Sequence, residues 1–188
     1  MPATSFGGYP VKNSAEAFTW PACAYCHLPM QFLGKIAHEA HLYQIFMCQN
    51  DPGVCEEWDP NDGGNKIIVT QPEQLEYVSA PADGECLREI EHSASLVAVE
   101  SNSYEDARNL WAEQNKQELR MVLGQMGSAP MWVQGDATPL CDSCQQPMRF
   151  LAQLEEGPER KTAMNFGSGC AYVFNCDCNH SGKFLWQC

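Results

Sequence analysis

Short runs of aliphatic and aromatic residues, separated by turn residues, dominate the hydrophobic pattern of the chain. Runs of this length and composition predict β-strands rather than helices. The pattern predicts six strands, which are Met30–Ile36, Leu42–Met47, Lys66–Thr70, Met148–Leu154, Ala171–Asn175 and Lys183–Gln187. Two turn signals, Asp51-Pro52-Gly53 and the Asp59–Gly64 cluster, separate the second strand from the third. The first and last thirds of the chain therefore each hold three predicted strands.

The region between these two thirds is polar and holds one predicted helix. A partial apolar stripe predicts this helix over 104–123, with Ser103 as its N-cap. Glu105 and Asp106 then fall in the first turn, where the positive end of the helix dipole stabilises acids. Gly124 is the residue expected to end the helix.

These elements predict an α+β, mainly β chain that is divided into three segments. Residues 1–70 and 126–188 would each form a small sheet, and the acidic connector 71–125 would hold the helix. A further short strand is predicted inside the connector at Ser95–Glu100. We expect the three segments to form one compact unit, because a chain of 188 residues buries one good core.

The two outer segments repeat one sequence motif. Residues 22–36 read ACAYCHLPMQFLGKI and residues 140–154 read LCDSCQQPMRFLAQL, which share Cys-x-x-Cys-x-x-Pro-Met-x-Phe-Leu. The corresponding positions are Cys23 and Cys141, Cys26 and Cys144, Cys48 and Cys176, and Gly8-Tyr9-Pro10 and Ser128-Ala129-Pro130. A cysteine pair repeated before the same strand predicts two pseudo-repeated sheets, each closed by a metal site.

A Cys-x-x-Cys turn, called a knuckle below, directs two sulfur atoms towards one point, and a second cysteine pair completes a tetrahedral zinc site. The predicted ligands are Cys23, Cys26, Cys48 and Cys55 in the first segment, and Cys141, Cys144, Cys176 and Cys178 in the last. Cys188 is the reserve ligand of the second site, with Cys170 and His180 as weaker alternatives. Because four cysteines leave no open coordination position, both zinc ions are expected to be structural and no enzyme activity is expected.

Other interpretations of the cysteines and histidines stay open. Ordinary buried thiols are one, and a catalytic dithiol is another, although the knuckles precede strands rather than a redox-type helix. A redox-sensing zinc switch would release its metal when the thiolates are oxidised. An enzyme would use a thiol or one of His27, His38 and His41, which lie near the first knuckle. Cys86 matches no position of the other copy and is interpreted as a bystander.

Composition and charge indicate the expected cellular compartment and the class of partner. The chain has eleven cysteines but begins without the basic and apolar regions of a signal peptide, so a reducing, cytoplasmic location is expected. No apolar run is long enough to span a membrane. The net charge is −13, and residues 56–125 carry −10 of it, which disfavours nucleic acid and favours a basic protein partner. The oligomeric state stays open.

Four segments resemble known families: GGYP, WPACAYCHLPMQFLGKI, PMWVQGDATPLCDSCQQPMRFLAQL and MNFGSGCAYVFNCDCNHSGKFLWQC. They are similar to the bacterial YwqG-like family of unknown function, over about residues 6–70 and 126–188. The repeated cysteine core also resembles the programmed-cell-death-2 family, whose members escort a newly made small-subunit ribosomal protein. The resemblance implies a duplicated α+β fold without catalysis. The two copies differ where Gly8-Tyr9 becomes Ser128-Ala129 and Gly34-Lys35 becomes Ala152-Gln153.

The sequence therefore predicts a protein-binding module that two zinc ions stabilise. The more specific hypothesis is a chaperone-like role towards a basic protein partner. The alternative is an enzyme or a redox-sensing zinc switch that uses cysteine or histidine. Resistance of the knuckle cysteines to alkylation would separate the module from an enzyme with a reactive thiol.

Overall fold

The computed structural model describes residues 3–159, 162–178 and 180–188 and is mainly β-sheet. Its strands are β1 (Ser5–Gly8), β2 (Val11–Asn13), β3 (Gln31–His38), β4 (His41–Met47), β5 (Asn65–Thr70), β6 (Leu75–Tyr77), β7 (Arg88–Ser93), β8 (Gly124–Met126), β9 (Arg149–Glu155), β10 (Cys170–Cys176) and β11 (Ser181–Gln187). Within the described residues, the connector holds one α-helix, α1 (Tyr104–Asn115), and a short 3-10 helix, Leu119–Met121. The α+β, mainly β class is confirmed.

The six strands predicted from the apolar runs are all present, and their bounds differ from the predicted ones by at most two residues. The prediction succeeds best for β3, β4 and β10, which are buried along almost their whole length, so their sequences are mostly apolar. Every residue of β10, for example, is buried. The strands that the sequence did not reveal, β1, β2, β6, β7 and β8, are short or polar.

The helix begins where the sequence predicts but ends at Asn115 rather than at 123. Ser103 caps its start, because the side-chain oxygen accepts a backbone N–H from the first turn. Lys116 then adopts the left-handed conformation at a φ of 53°, and the N–H of Gln117 donates to the carbonyl five residues earlier at 3.0 Å. These two features close the last turn. Gly124, the expected end of the helix, instead begins β8.

The strand predicted at Ser95–Glu100 is wrong, and β7 lies just before that segment. Leu96 and Val97 are 67% and 62% exposed, so the apolar run has no sheet on which to bury itself. β7 pairs antiparallel with β1 instead, although its sequence, REIEHS, is polar. Tertiary pairing therefore decides the position of this strand, against its local apolar pattern.

The two larger sheets have the same order of pairing. One runs β5-β4-β3-β1-β7 and the other runs β11-β10-β9-β8, with every pair antiparallel, and β2 and β6 form a small third sheet. Both contain a β-bulge at the same position of the repeated motif. Leu33 is the extra residue between β3 and β4, and Leu151 is the extra residue between β9 and β10. A bulge reverses the face of the sheet on which the following side chains lie. The matching bulges therefore place equivalent residues of the two motifs on equivalent faces of the two sheets.

A single buried cluster joins the two larger sheets. The first sheet contributes residues of β3, β4 and β5, and the second contributes residues of β9, β10 and β11. The cluster includes Leu33, Tyr43, Ile45, Leu151, Val173 and Phe184. The Tyr43 hydroxyl accepts a hydrogen bond from the Asn175 side chain at 3.3 Å, and Lys183 reaches Asn61 at 2.6 Å. One face of each sheet is thus buried against the other sheet. The cysteine groups lie in separate clusters at the opposite faces.

The β7 strand is held to the first sheet by a partly buried ion pair, whose loss we expect to be measurable. The Lys35 ammonium lies 2.6 Å from Glu91, and the Ser5 hydroxyl donates to the same carboxylate oxygen at 2.7 Å. Partial burial alone would raise the pKa of Glu91, but Lys35 and Ser5 outweigh it and lower the pKa. The carboxylate is therefore charged at neutral pH, and E91Q would leave a Lys35 side chain that is only 6% exposed without its counter-ion.

We expect E91Q to lower the free energy of unfolding by about 1–3 kcal/mol at pH 7, measured by urea denaturation. The matched control is E76Q, which breaks the more exposed ion pair of Lys12 with Glu76. The control should change stability by less than about 0.5 kcal/mol. Equal losses in both variants would contradict the role given to the Lys35–Glu91 pair.

Candidate metal centres

The first cysteine group forms at the outer face of the first sheet. The sulfur atoms of Cys23, Cys26, Cys48 and Cys55 all lie within 4.8 Å of one another. The first two come from the knuckle before β3, the third follows β4 directly, and the fourth comes from the loop after it. The Sγ atoms of Cys26 and Cys48 are 3.7 Å apart.

Local hydrogen bonds shape the first knuckle. The N–H of His27 donates to the carbonyl of Cys23 at 3.0 Å, and the N–H of Cys23 donates to the carbonyl of Leu28 at 2.9 Å. His27 has a positive φ of 60°, so the chain turns back and an isolated bridge pairs Ala22 with Pro29. This tight turn directs both knuckle sulfur atoms to the same side.

The second group repeats this turn at the outer face of the second sheet. The N–H of Gln145 donates to the carbonyl of Cys141 at 2.9 Å, and Gln145 has a φ of 58°. The sulfur atoms of Cys141, Cys144, Cys176 and Cys178 again lie within 4.8 Å of one another. Cys176 ends β10, and Cys178 lies in the turn that follows. The Cys-x-Cys pair brings its two sulfur atoms to 3.3 Å.

These distances suit a metal ion. Four sulfur ligands about 2.3 Å from a tetrahedral zinc ion are about 3.8 Å from one another. The closest sulfur contacts in the two groups are 3.3 to 3.7 Å. A disulfide would require about 2.05 Å, and none links any of the eleven cysteines, all of which belong to the described residues. Both groups are therefore geometrically suitable for a metal ion with thiolate ligands.

The structure places the eight predicted ligands in two groups of four and leaves the reserve candidates outside. The thiol of Cys170 donates to the Tyr172 hydroxyl at 3.1 Å, inside the aromatic core. His180 stacks on His41 with ring centroids 4.3 Å apart. Cys188 is exposed near Gly167. Cys178 is thus the residue that completes the second group.

Burial raises the pKa values of these thiols, whereas hydrogen bonds from backbone N–H groups lower them. Backbone N–H groups of the second knuckle lower the pKa of Cys141 to about 6. At Cys26, burial raises the pKa, but a backbone N–H and the neighbouring thiols outweigh it and leave the pKa lowered. Burial and then the adjacent sulfur atoms raise the pKa of Cys55. Four close thiolates repel one another, so a divalent cation is required for all of them to ionise together.

Aromatic residues support each group from the sheet side. The indole N–H of Trp20 donates to the carbonyl of Met30 at 2.8 Å, and its ring packs on Phe46. Trp132 packs on Tyr172 and Phe174 beside the second group. The two cysteine groups belong to two separate buried clusters, one on each sheet. Both tryptophans therefore pack against the aromatic side chains beside the cysteine groups.

Asn50 contacts the first cysteine group, and the sequence did not predict this contact. Its side-chain N–H₂ donates to the carbonyl of Pro29 at 3.0 Å and lies 3.6 Å from the sulfur of Cys48. Its side-chain oxygen accepts the backbone N–H of Glu85 at 3.0 Å. Asn50 thereby joins the first group to the loop that carries Cys86, whose own thiol donates to a backbone carbonyl. No spacing rule predicts it, because its partner is 35 residues away.

The three histidines near the first knuckle do not assemble around a nucleophile in the described residues. His38 lies 3.7 Å from the Glu39 carboxylate, and His41 stacks on His180. His27 is exposed within the knuckle turn. The geometry therefore gives no support to a histidine-activated thiol or hydroxyl.

The second group is the more accessible of the two, so we expect it to react first. Cys178 is exposed, whereas Cys55 is 1% exposed. In a metal-loaded sample, iodoacetamide should modify Cys178 before Cys55, with mass spectrometry of peptides as the readout. Cys188 is the internal control, because it is exposed and outside both groups, and it should react fastest. Reaction of Cys55 at the rate of Cys188 would contradict a metal at the first group.

A comparison with protein-family models found no match, and a comparison with curated proteins found no relative. Among the described residues, no helix has the length and apolar character needed to cross a membrane.

Proposed function

We propose that the protein is a binding module whose two halves are each stabilised by a structural zinc ion. The observation that carries this proposal is the assembly of eight sulfur atoms into two groups of four. A site with four cysteine ligands has no position for water or substrate, so its metal stabilises the fold rather than reacts. The shared pairing order and the matching bulges support an internal duplication, in agreement with the resemblance to the YwqG-like family.

We further propose that the partner is a basic protein and that the role is chaperone-like. The net charge of −13, most of it in residues 56–125, attracts cationic surfaces and repels nucleic acid. The resemblance of the cysteine core to the programmed-cell-death-2 family, whose members escort a ribosomal protein, is consistent with this direction. The acidic connector is the segment expected to carry the attraction.

A pull-down at two salt concentrations tests the partner proposal. The metal-loaded chain should retain basic proteins at about 50 mM salt and lose them at about 500 mM, because exposed charges are screened. The variant E73Q/E100Q/E113Q removes three exposed charges of the connector and should retain less. The matched control, Q71N/Q114N/Q117N, alters three exposed glutamines of the same segment without changing charge. Retention that is independent of salt and of the glutamate substitutions would contradict a basic partner.

A redox-sensing zinc switch is the second candidate, favoured by the exposure of Cys178. Oxidation of exposed thiolates would release the metal and form disulfides. Mild peroxide should then release zinc from the second group first, and added thiol should restore binding. Release of zinc that thiol does not reverse would remove this candidate.

A further inference from the structure

β1 and β8 occupy equivalent places in the two larger sheets. The repeated motif aligns Gly34 with Ala152, and the upstream segment aligns Phe6 with Met126. In the structure Phe6 pairs with Gly34, and Met126 pairs with Ala152. Sequence and strand register therefore agree that β8 is the second-half counterpart of β1.

The two strands differ at their outer edges. β7 covers the outer edge of β1, and all four residues of β1 are buried. No strand of the described residues pairs with the outer edge of β8, whose residues are only half-buried. Among the described residues, no strand therefore takes the place beside β8 that β7 takes beside β1.

Two glycines show this difference in one place. Gly7 and Gly127 are equivalent and share the left-handed conformation, with φ values of 73° and 76°. A Cβ atom on Gly7 would lie 2.1 Å from the carbonyl oxygen of Ile90 in β7. A Cβ atom on Gly127 would have nothing within 4 Å. The second sheet keeps the backbone conformation that accommodates a neighbouring strand, but no strand of the described part of the chain lies against it.

The hydrogen-bonding groups of this edge point outwards. The carbonyl of Leu123 accepts from Glu155, and the N–H of Gly127 donates to the carbonyl of Leu151. Since alternate residues of an antiparallel strand face the same neighbour, the backbone groups of Gly124 and Met126 face away from β9. In the first sheet the equivalent position, Thr4, uses its carbonyl to accept the N–H of Ala94 beyond β7 at 2.9 Å.

We propose that the outer edge of β8 binds an extended, cationic segment of another protein as an added antiparallel strand. The register of β7 on β1 gives the expected register, with guest residues opposite Gln125, Met126 and Ser128. Main-chain hydrogen bonds of this kind supply affinity for a strand of about six residues. This inference rests on the proposed protein-binding function and assigns it a site.

Charge decides between a cationic guest and a second copy of the chain. A copy would bring another net charge of −13 to the same edge, which disfavours pairing of two β8 strands. The cationic residue nearest to β8 along the chain, Arg120, is already paired with Glu118. Its positive charge is therefore offset before a cationic guest approaches.

The test uses two peptides and the metal-loaded, ¹⁵N-labelled chain of 188 residues. The parent peptide, SLREIEHSAS, copies residues 86–95 with serine in place of Cys86, and the cationic peptide, SLRKIKHSAS, replaces both glutamates by lysine. The cationic peptide should shift the amide signals of residues 123–128 and slow hydrogen exchange at Gly124 and Met126. It should bind at least about fivefold more tightly than the parent at low salt, because its charge opposes that of the chain.

A proline at the edge provides the variant. The N–H of Met126 faces outwards, so M126P removes a donor to the guest without removing a hydrogen bond to β9. It should weaken binding by about tenfold or more, the loss of roughly one or two hydrogen bonds. V97P, in the exposed segment after β7, is the matched control and should bind as the parent chain does.

Shifts confined to other residues would overturn the β8 site while leaving a protein-binding module in place. Equal binding of both peptides would overturn the cationic guest, and concentration-dependent dimerisation that protects Gly124 and Met126 would assign the edge to a second copy. If M126P does not fold, the exchange data on the parent chain decide alone. Salt-sensitive capture of basic proteins without any peptide-induced shift would likewise refute this site and leave the proposed function standing.

Discussion

Replacing Cys55 by serine should remove one metal ion from each chain and destabilise the first half severely. Cys55 is 1% exposed and belongs to the first group of four sulfur atoms. A structural zinc ion contributes its binding free energy to folding, and no neighbouring cysteine of the described chain is placed to substitute. We expect C55S to lower the free energy of unfolding by about 3–5 kcal/mol and the midpoint of thermal unfolding by about 10 °C.

The matched control for C55S is C86S. Cys86 is also buried, at 5% exposure, but lies outside both groups. Its replacement should leave the metal content unchanged and alter stability by about 1 kcal/mol. Elemental analysis and thermal denaturation of both variants give the readout. Equal stability losses with unchanged metal content in both would show that Cys55 acts as an ordinary buried thiol.

Replacing Phe184 by alanine should unfold both halves together. Phe184 is fully buried on β11 and belongs to the cluster that joins the two larger sheets. Removing a buried phenylalanine side chain costs about 3–5 kcal/mol, because the cavity is only partly refilled. F184A should therefore shift one cooperative transition, seen at the same urea concentration by loss of sheet and by exposure of cysteines from both groups.

The control for F184A is L96A, since Leu96 is 67% exposed and should change stability by less than about 0.5 kcal/mol. If F184A unfolds the second sheet while the cysteines of the first group stay protected, the halves are independent. That outcome would contradict a shared core as the source of stability.

The sequence predicted well the features that depend on local spacing or on continuous apolar runs. The knuckles are local, because a turn of four residues sets where the sulfur atoms of Cys23 and Cys26 point. The buried strands, such as β4 and β10, are short and mostly apolar. A short apolar run of this kind predicts a buried strand. The assembly of Cys176 with Cys178 was predicted as one option among several, and only the folded β10–β11 turn selects it.

The features that the sequence missed depend on distant partners. β7 is polar and becomes a strand because β1 offers an edge and Lys35 offers a charge to Glu91. Asn50 has no local signal, since its partner in the 81–86 loop is fixed by tertiary structure. The end of α1 at Asn115 depends on Lys116, which adopts the left-handed conformation. This conformation is unfavourable for residues other than glycine, so residue propensity does not predict it. None of these is encoded in the period of the hydrophobic pattern.

The metal content of the purified chain is the most direct test of the account. Native mass spectrometry of protein expressed with zinc should give the mass of the chain plus two zinc ions, and elemental analysis should give two zinc ions per chain. Lowering the pH should release both metal ions, because protons compete with the metal for the thiolates. A chain that is fully folded without bound metal, or that contains disulfides between the grouped cysteines, would contradict the central claim that two sulfur-bound ions stabilise this fold.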